Sequence, residues 1–168
     1  QTIDGGYIIA GVTFSNDGDV SGNHGTESAD FWVLKINSTG TLEWQQCFGG
    51  SYEDMAYSVK QTEDSGFVIA GYGSSRDLTG HHGYNDYFVV KTDANGIVQW
   101  QKCYGGSDVD IARNIEQTID GGYIISGSTQ SSDGDITVHE RLSDFWIVKT
   151  DGNGIIEWQR CYGGYWND

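Results

Sequence analysis

The sequence predicts an all-β protein, and more narrowly a β-propeller, on three observations. A unit of 56 to 60 residues recurs, as QTIDGGYIIAG at Gln1, QTEDSGFVIAG at Gln61 and QTIDGGYIISG at Gln117. Glycine fills 25 of 168 positions and proline none, and glycine supplies the positive φ that tight hairpins require. The apolar residues form short runs bounded by turn signals, which is a strand pattern and leaves no room for helix.

Each unit reads as four short strands. The first, such as AYSVKQT from Ala56 or ARNIEQT from Ala112, mixes polar and apolar residues and ends at a turn such as Asp120-Gly121-Gly122. The second and third, such as GYIIAG from Gly6 and DFWVLK from Asp30, are nearly continuous apolar runs, which implies burial on both faces. The fourth, such as IVQWQKCYG from Ile97, follows an Asn-Gly or Thr-Gly turn and carries Gln and Lys among its apolar residues, as an outer edge strand does.

The third and fourth strands form a second repeating block that starts at Asp30, Asp86 and Asp144, spaced 56 and 58 residues. In it Trp44, Trp100 and Trp158 return in phase, as do Cys47, Cys103 and Cys161 and the pairs Gly49-Gly50, Gly105-Gly106 and Gly163-Gly164. A β-sandwich, the alternative all-β architecture, leaves that phasing unexplained; tandem four-stranded antiparallel blades account for it. The units span residues 1–50, 51–106 and 107–164, with 165–168 opening a further unit. Because Gln1 aligns with Gln61, the first blade lacks its innermost strand, and eleven strands are expected. Propellers typically close with four to eight blades. Three make an incomplete ring, completed by further blades in the same chain or by a homodimer of six blades.

The formal charge of −15, from 24 acidic and 9 basic side chains, argues against nucleic acid and anionic lipid as partners, since both need clustered Lys and Arg. No apolar run approaches the roughly 20 residues of a membrane span. Aromatics at 13% make a packed core affordable.

The run SNDGDVSGNHG, followed by ADFWVLKINSTGTLEWQQCFGGSYEDMAYSVKQTEDSGFVIAG, resembles the tandem propeller repeats of secreted and cell-surface proteins of bacteria that use type IX secretion. The likeness covers essentially the whole chain. It implies an extracellular or cell-surface location and a non-catalytic binding or adhesion role toward a glycan or protein. TDANGIVQW is also similar to the docking segment of quinone-dependent propellers, but the spacing from Asp93 to Gly96 departs by one residue, so packing and no quinone is carried over.

In such a fold the loop entering the first strand and the loop joining the second and third open on one face. That face is expected to gather 15 of the 24 acids: Asp17, Asp19, Glu27, Asp30, Glu53, Asp54, Asp77, Asp86, Asp108, Asp110, Asp133, Asp135, Glu140, Asp144 and Asp168. Against them stand only Arg76 and Arg141, with His24, His81, His82 and His139 on the same loops. Asp17-Gly18-Asp19-Val20-Ser21 and its echo Asp133-Gly134-Asp135-Ile136-Thr137 place oxygens at i, i+2 and i+4, a spacing suited to Ca²⁺. The metal candidates are therefore Asp17, Asp19, Ser21, Asp133, Asp135 and Thr137. The other reading of the same residues is turn hydrogen bonding to nearby amides.

Adjacent His81 and His82 without cysteine partners read as solvated, and Asp30, Asp86 and Asp144 as caps on loop amides. The cysteines, one per unit, sit too far apart for disulfides and read as buried thiols. A spacer role, or a glycoside-active enzyme with paired carboxylates, are the competing functions; no acid stands apart from its repeats as catalysis requires.

Overall fold

Alternating side chains and Gly-rich turns build eleven strands in the computed structural model, which describes residues 1–25, 28–137 and 143–164. The first sheet holds β1 (Tyr7–Thr13), β2 (Asp30–Ile36) and β3 (Leu42–Phe48). A second holds β4 (Asp54–Gln61), β5 (Phe67–Gly73), β6 (Asp86–Thr92) and β7 (Val98–Tyr104). The third holds β8 (Asp110–Gln117), β9 (Tyr123–Thr129), β10 (Asp144–Thr150) and β11 (Ile156–Tyr162). Every pairing is antiparallel and sequential, so the chain forms three meanders of three, four and four strands. The protein is all-β, as the sequence predicts.

The middle sheet explains the continuous apolar runs. Val68, Ala70, Tyr87 and Val89 point into a core shared with the third sheet, which adds Ile115, Tyr123, Ile125, Trp146 and Val148. Phe67, Ile69, Phe88 and Val90 point the other way, into a core with Phe31, Val33 and Phe48 of the first sheet. All residues of β5 and β6 are thereby buried. Strands β1 and β10 belong to the end sheets and keep exposed residues on the side no sheet covers.

The two junctions between sheets use the same contacts twice. Phe31 meets Phe88 with ring centroids 4.9 Å apart, and Tyr87 meets Trp146 at 4.5 Å. Trp44 packs on Phe67 at 5.6 Å and gives its indole N–H to Ala94 O; Trp100 packs on Tyr123 at 5.7 Å and gives its own to Gly152 O. At the turn end, the amide of Ile3 donates to Gln61 Oε1 and that of Glu63 to Gln117 Oε1. Strands β4 and β8 lie against each other, so the first strands of successive sheets converge.

Within each sheet a buried lysine ties the strand ends. Lys35 bridges Asp4 and Glu43, Lys149 bridges Asp120 and Glu157, and Lys91 joins Asp64 to Gln99. The aspartates sit in the first hairpin turn, where Gly5, Ser65 and Gly121 take φ of +85°, +65° and +81°. Ser65 thus occupies a left-handed position that costs a residue with a Cβ about 1 kcal/mol. At Gly71 the constraint is space, because a Cβ there would lie 1.8 Å from Met55 O beside the bulge in β4.

Denaturant unfolding checks both positions. Ser65→Gly is expected to raise stability by about 0.5–1 kcal/mol, and Gly71→Ala to lower it by about 3 kcal/mol or more.

Candidate functional site

The long loops β1–β2, β5–β6 and β9–β10 and the linkers β3–β4 and β7–β8 all lie at one end of the sheets. Of the 15 acids that the sequence assigns to this face, five do not contribute to its surface. Asp30, Asp54, Asp86 and Asp110 are fully buried and Asp144 nearly so. Each opens a strand, and the first pleat turns its side chain inward. Asp17, Asp19, Glu53, Asp77, Asp108 and Asp133 are exposed and Asp135 is half-buried; Glu27, Glu140, Arg141, His139 and Asp168 lie outside the described residues.

The buried aspartates are held by donors. Asp54 accepts from the Gly50 amide (2.8 Å), the Ser75 hydroxyl (2.8 Å) and the Ser74 amide (3.0 Å). Asp110 accepts from the Gly106 amide and from the hydroxyls of Ser131 and Thr129. Asp30 accepts from the backbone N of His24 (2.9 Å), and its Oδ2 lies 2.6 Å from His24 Nδ1; Asp86 does the same with His82, at 2.7 and 3.1 Å. The capping reading therefore holds for Asp30 and Asp86, with an imidazole added. That pairing was missed, although a histidine stands four to six residues before each of Asp30, Asp86 and Asp144.

Two such carboxylates flank Gly49 and two flank Gly105. A Cβ on Gly49 would lie 2.6 Å from both Asp30 Oδ1 and Asp54 Oδ2, and one on Gly105 within 2.8 Å of Asp86 and 2.6 Å of Asp110. Burial, with the nearby Asp30 charge adding, pushes the Asp54 carboxyl up to about 6. Burial raises Asp86 and Asp110 as well. The three cysteines are free. Burial first, then the neighbouring Asp30 and Asp144, pushes Cys47 and Cys161 up to about 11, and Cys103 is raised further. These are thiols at neutral pH and poor nucleophiles.

The metal candidates divide into two sets. Asp133 Oδ1 accepts the Ser107 amide (2.7 Å), Asp135 Oδ2 the Gly105 amide (3.1 Å), and the Thr137 hydroxyl the Gln159 amide group. Asp77, in the same loop of the middle sheet, takes the Ser51 amide at 3.1 Å and its hydroxyl at 2.8 Å. These loops fasten the Gly-Gly-Ser linker that leads into the next sheet. In the first sheet Ser21 takes Gln45 Nε2 (2.8 Å), while Asp17 and Asp19 receive no side-chain hydrogen bond from the described residues. Among the described residues no group of three or more His, Cys, Asp or Glu side chains is placed to hold a metal ion.

The recess at this end with the most varied chemistry was not singled out by the sequence. Arg76, His81, His82, Gly83, Tyr84 and Ser107 line a cleft of about 410 Å³. A second cleft of about 270 Å³, which adds Tyr52, Ser74 and Asn85, shares Arg76, Gly83 and Tyr84 with it. Tyr84 is 71% exposed and Tyr52 58%. The β5–β6 loop is pinned by His82 on Asp86, by the Asn85–Val109 bridge and by Gly83, which touches the Gly106–Ser107 backbone too closely to admit a Cβ. Arg76 has no carboxylate partner among the described residues. The exposed phenol of Tyr84, a free guanidinium and an imidazole on this fixed loop thus face the exposed phenol of Tyr52 on the β3–β4 linker, a set suited to stacking and hydrogen bonding with a polar ligand. The opposite end has a cleft of about 530 Å³ beside Lys60, Glu63 and Glu116, where Lys60 and Glu116 already pair at 2.5 Å and Gln117 Oε1 already takes the Glu63 amide.

Neither a scan against protein-family models nor a search of curated proteins returns a match to this chain.

The raised aspartates make stability depend on pH. Asp54 titrates at about 6 when folded and near 3.9 when unfolded. Between those values the folded chain holds a proton the unfolded chain has lost, so stability rises as pH falls from 7.5 toward 4.5. Asp77, Asp133 and Asp151 are held low, first by the amides of Ser51, Ser107 and Ile155, and their contribution is lost only in stronger acid. The melting temperature at pH 5 is expected to exceed that at pH 7.5 by roughly 5 °C. A carboxyl NMR titration should place Asp54 near 6.

Proposed function

We propose that the three sheets are blades of a β-propeller serving as a non-catalytic, extracellular binding module, with a glycan as ligand at the loop end of the middle sheet. The propeller reading is supported by successive four-stranded meanders whose first strands converge and whose junction contacts repeat. The location rests on the resemblance to secreted and surface repeats. One observation carries the ligand reading: the twin clefts around Tyr84, where its exposed ring and the unpaired Arg76 stand on a rigid loop beside the exposed ring of Tyr52 on the β3–β4 linker. Phenol rings offer flat apolar faces at low entropic cost, while guanidinium, imidazole and amide groups meet hydroxyls.

Titration with a panel of oligosaccharides, read by aromatic NMR shifts, tests it. At least one is expected to bind saturably. Tyr84→Ala should weaken that binding at least about tenfold while leaving the melting temperature within about 1 °C, because the ring is mostly in solvent. Absence of binding across the panel, or binding indifferent to Tyr84, overturns the reading and favours the spacer role.

The end sheets carry matching halves of the junction. On the third, Phe145, Trp158 and Tyr162 are exposed where Tyr87, Trp100 and Tyr104 are covered. On the first, Tyr7 stands where Phe67 and Tyr123 receive a tryptophan. Head-to-tail self-association therefore belongs to the proposal. Light scattering should show concentration-dependent oligomers. Tyr7→Lys and Trp158→Lys chains should each be monomeric, yet form a 1:1 dimer when mixed, because the mixture keeps one intact pair of faces.

A further inference from the structure

We infer that the cleft between the outer strands of the first and second sheets is a binding site for a primary alkylammonium group, seated on the backbone carbonyl of Gly96. Gln46, Phe48, Gly96, Ile97, Val98 and Gln101 are among the residues lining this cleft of about 320 Å³. Its walls are β3 on one side and the β6–β7 turn with β7 on the other.

The junction between the second and third sheets shows what fills the corresponding place. The β10–β11 turn, Asp151-Gly152-Asn153-Gly154, matches Asp93-Ala94-Asn95-Gly96. There the Lys102 ammonium donates to Gly154 O at 3.0 Å and the Tyr104 hydroxyl donates to it at 2.8 Å. At the first junction Gln46 stands for Lys102 and Phe48 for Tyr104. The turn itself is unchanged: φ is +79° at Gly96 and +71° at Gly154, and a Cβ on either would lie 3.0 Å from a ring carbon of Trp44 or Trp100. Gly96 O nevertheless receives no hydrogen bond from the described residues. Gly96 is buried, where an unpaired carbonyl is costly unless a group from solvent meets it.

A second departure, on the facing wall, adds acceptors. Gln45 and Gln159 each accept the indole N–H of a tryptophan, Trp32 at 3.0 Å and Trp146 at 2.8 Å, and donate from Nε2 to Ser21 and Thr137. The middle sheet has Phe88 at the tryptophan position, and its Gln101 bonds to no described residue. Gln46, which is exposed, bonds to none either. Two carboxamide oxygens and one carbonyl are thus left to accept, which matches the three N–H donors of an ammonium.

The charges agree. Asp151 is held low by the Ile155 amide first, and the Lys102 charge adds to this. Asp93 likewise accepts the amides of Asn95 (2.8 Å) and Ile97 (2.9 Å), but it pairs with no cationic side chain among the described residues. An ammonium on Gly96 O supplies the missing charge, on a chain whose formal charge of −15 draws cations. Exposed Ile97 and Val98 flank the cleft and cover an alkyl stem.

The test titrates the chain with 1,5-diaminopentane and, separately, with Nα-acetyl-lysine N-methylamide at constant ionic strength. NMR shifts of the Ile97 amide and of the Gln46 and Gln101 side-chain amides give the readout. Saturable shifts with a dissociation constant on the order of 1–10 mM are expected from at least one probe. The tighter of the two tells whether a free amine or a lysine side chain is the better occupant. Gln46→Lys places an ammonium on Gly96 O from within the chain and changes an exposed residue. It should weaken binding at least about tenfold without lowering the melting temperature. Gln101→Leu should also weaken binding, and neutral 1-pentanol should give no saturable shift. Shifts that sodium chloride reproduces, no saturation by either amine, or equal binding by the Gln46→Lys chain overturns the inference. No outcome touches Tyr84, so the glycan reading stands or falls separately.

Discussion

A sheet whose central strands are apolar on both faces has to be covered twice, and the rest of the molecule follows from that. Strands β5 and β6 reach full burial only because the first and third sheets press on them from opposite sides. Aromatic pairs do most of the pressing, and each such ring removes on the order of 150–250 Å² from water. The end sheets carry the same sequence pattern without the second cover. Phe145, Trp158 and Tyr7 are each about 43% exposed, although their counterparts form junctions. The repeat makes both halves of a junction in every unit.

The price of stacking sheets closely is a buried polar seam, and aspartate with glycine manages it. Asp30 with Asp54 and Asp86 with Asp110 bring carboxylates into the junction, where amides, hydroxyls and imidazoles meet most of their oxygens. The glycine between them leaves no Cβ for the carboxylates to avoid. Oδ1 of Asp30 and of Asp86 still has no donor, consistent with the strain that burial puts on the charged form and with the upward shift of Asp86. Acidification relieves this seam, whereas the exposed, amide-bound aspartates resist it. The two populations of acid therefore respond to pH in opposite senses.

Much of the architecture was legible in the sequence, because periodic apolar runs and phased glycines are local signals. The strand starts at Asp30, Asp86 and Asp144, the turns at Gly5 and Gly121, and the three-stranded first unit could be read from residue order alone. The acidic face was misjudged because composition records which loop an aspartate borders and not which way the pleat turns it. The oxygen spacing of Asp133-Gly134-Asp135 is compatible with several uses. Only the fold shows that Gly105 and Ser107, some 26 to 30 residues earlier, arrive to occupy these carboxylates. The His–Asp pairs lay in the sequence at spacings of four to six, but variable loop length hid their recurrence.

Repetition also explains where a particular function can reside. A contact made identically in every unit serves the stacking of units, as the Trp44 and Trp100 junctions do. Specific recognition needs a place where one unit differs. The β5–β6 loop is such a place: Arg76 stands where the third unit has Ser132, and Tyr84 follows Gly80-His81-His82-Gly83 where Thr26 follows the matching Gly22-Asn23-His24-Gly25 of the first. Gly11 shows the converse. Its counterparts Gly71 and Gly127 make room for the bulged first strand of their own sheets, so the glycine follows the repeat and not its local surroundings. Departures from the repeat thus mark the cleft.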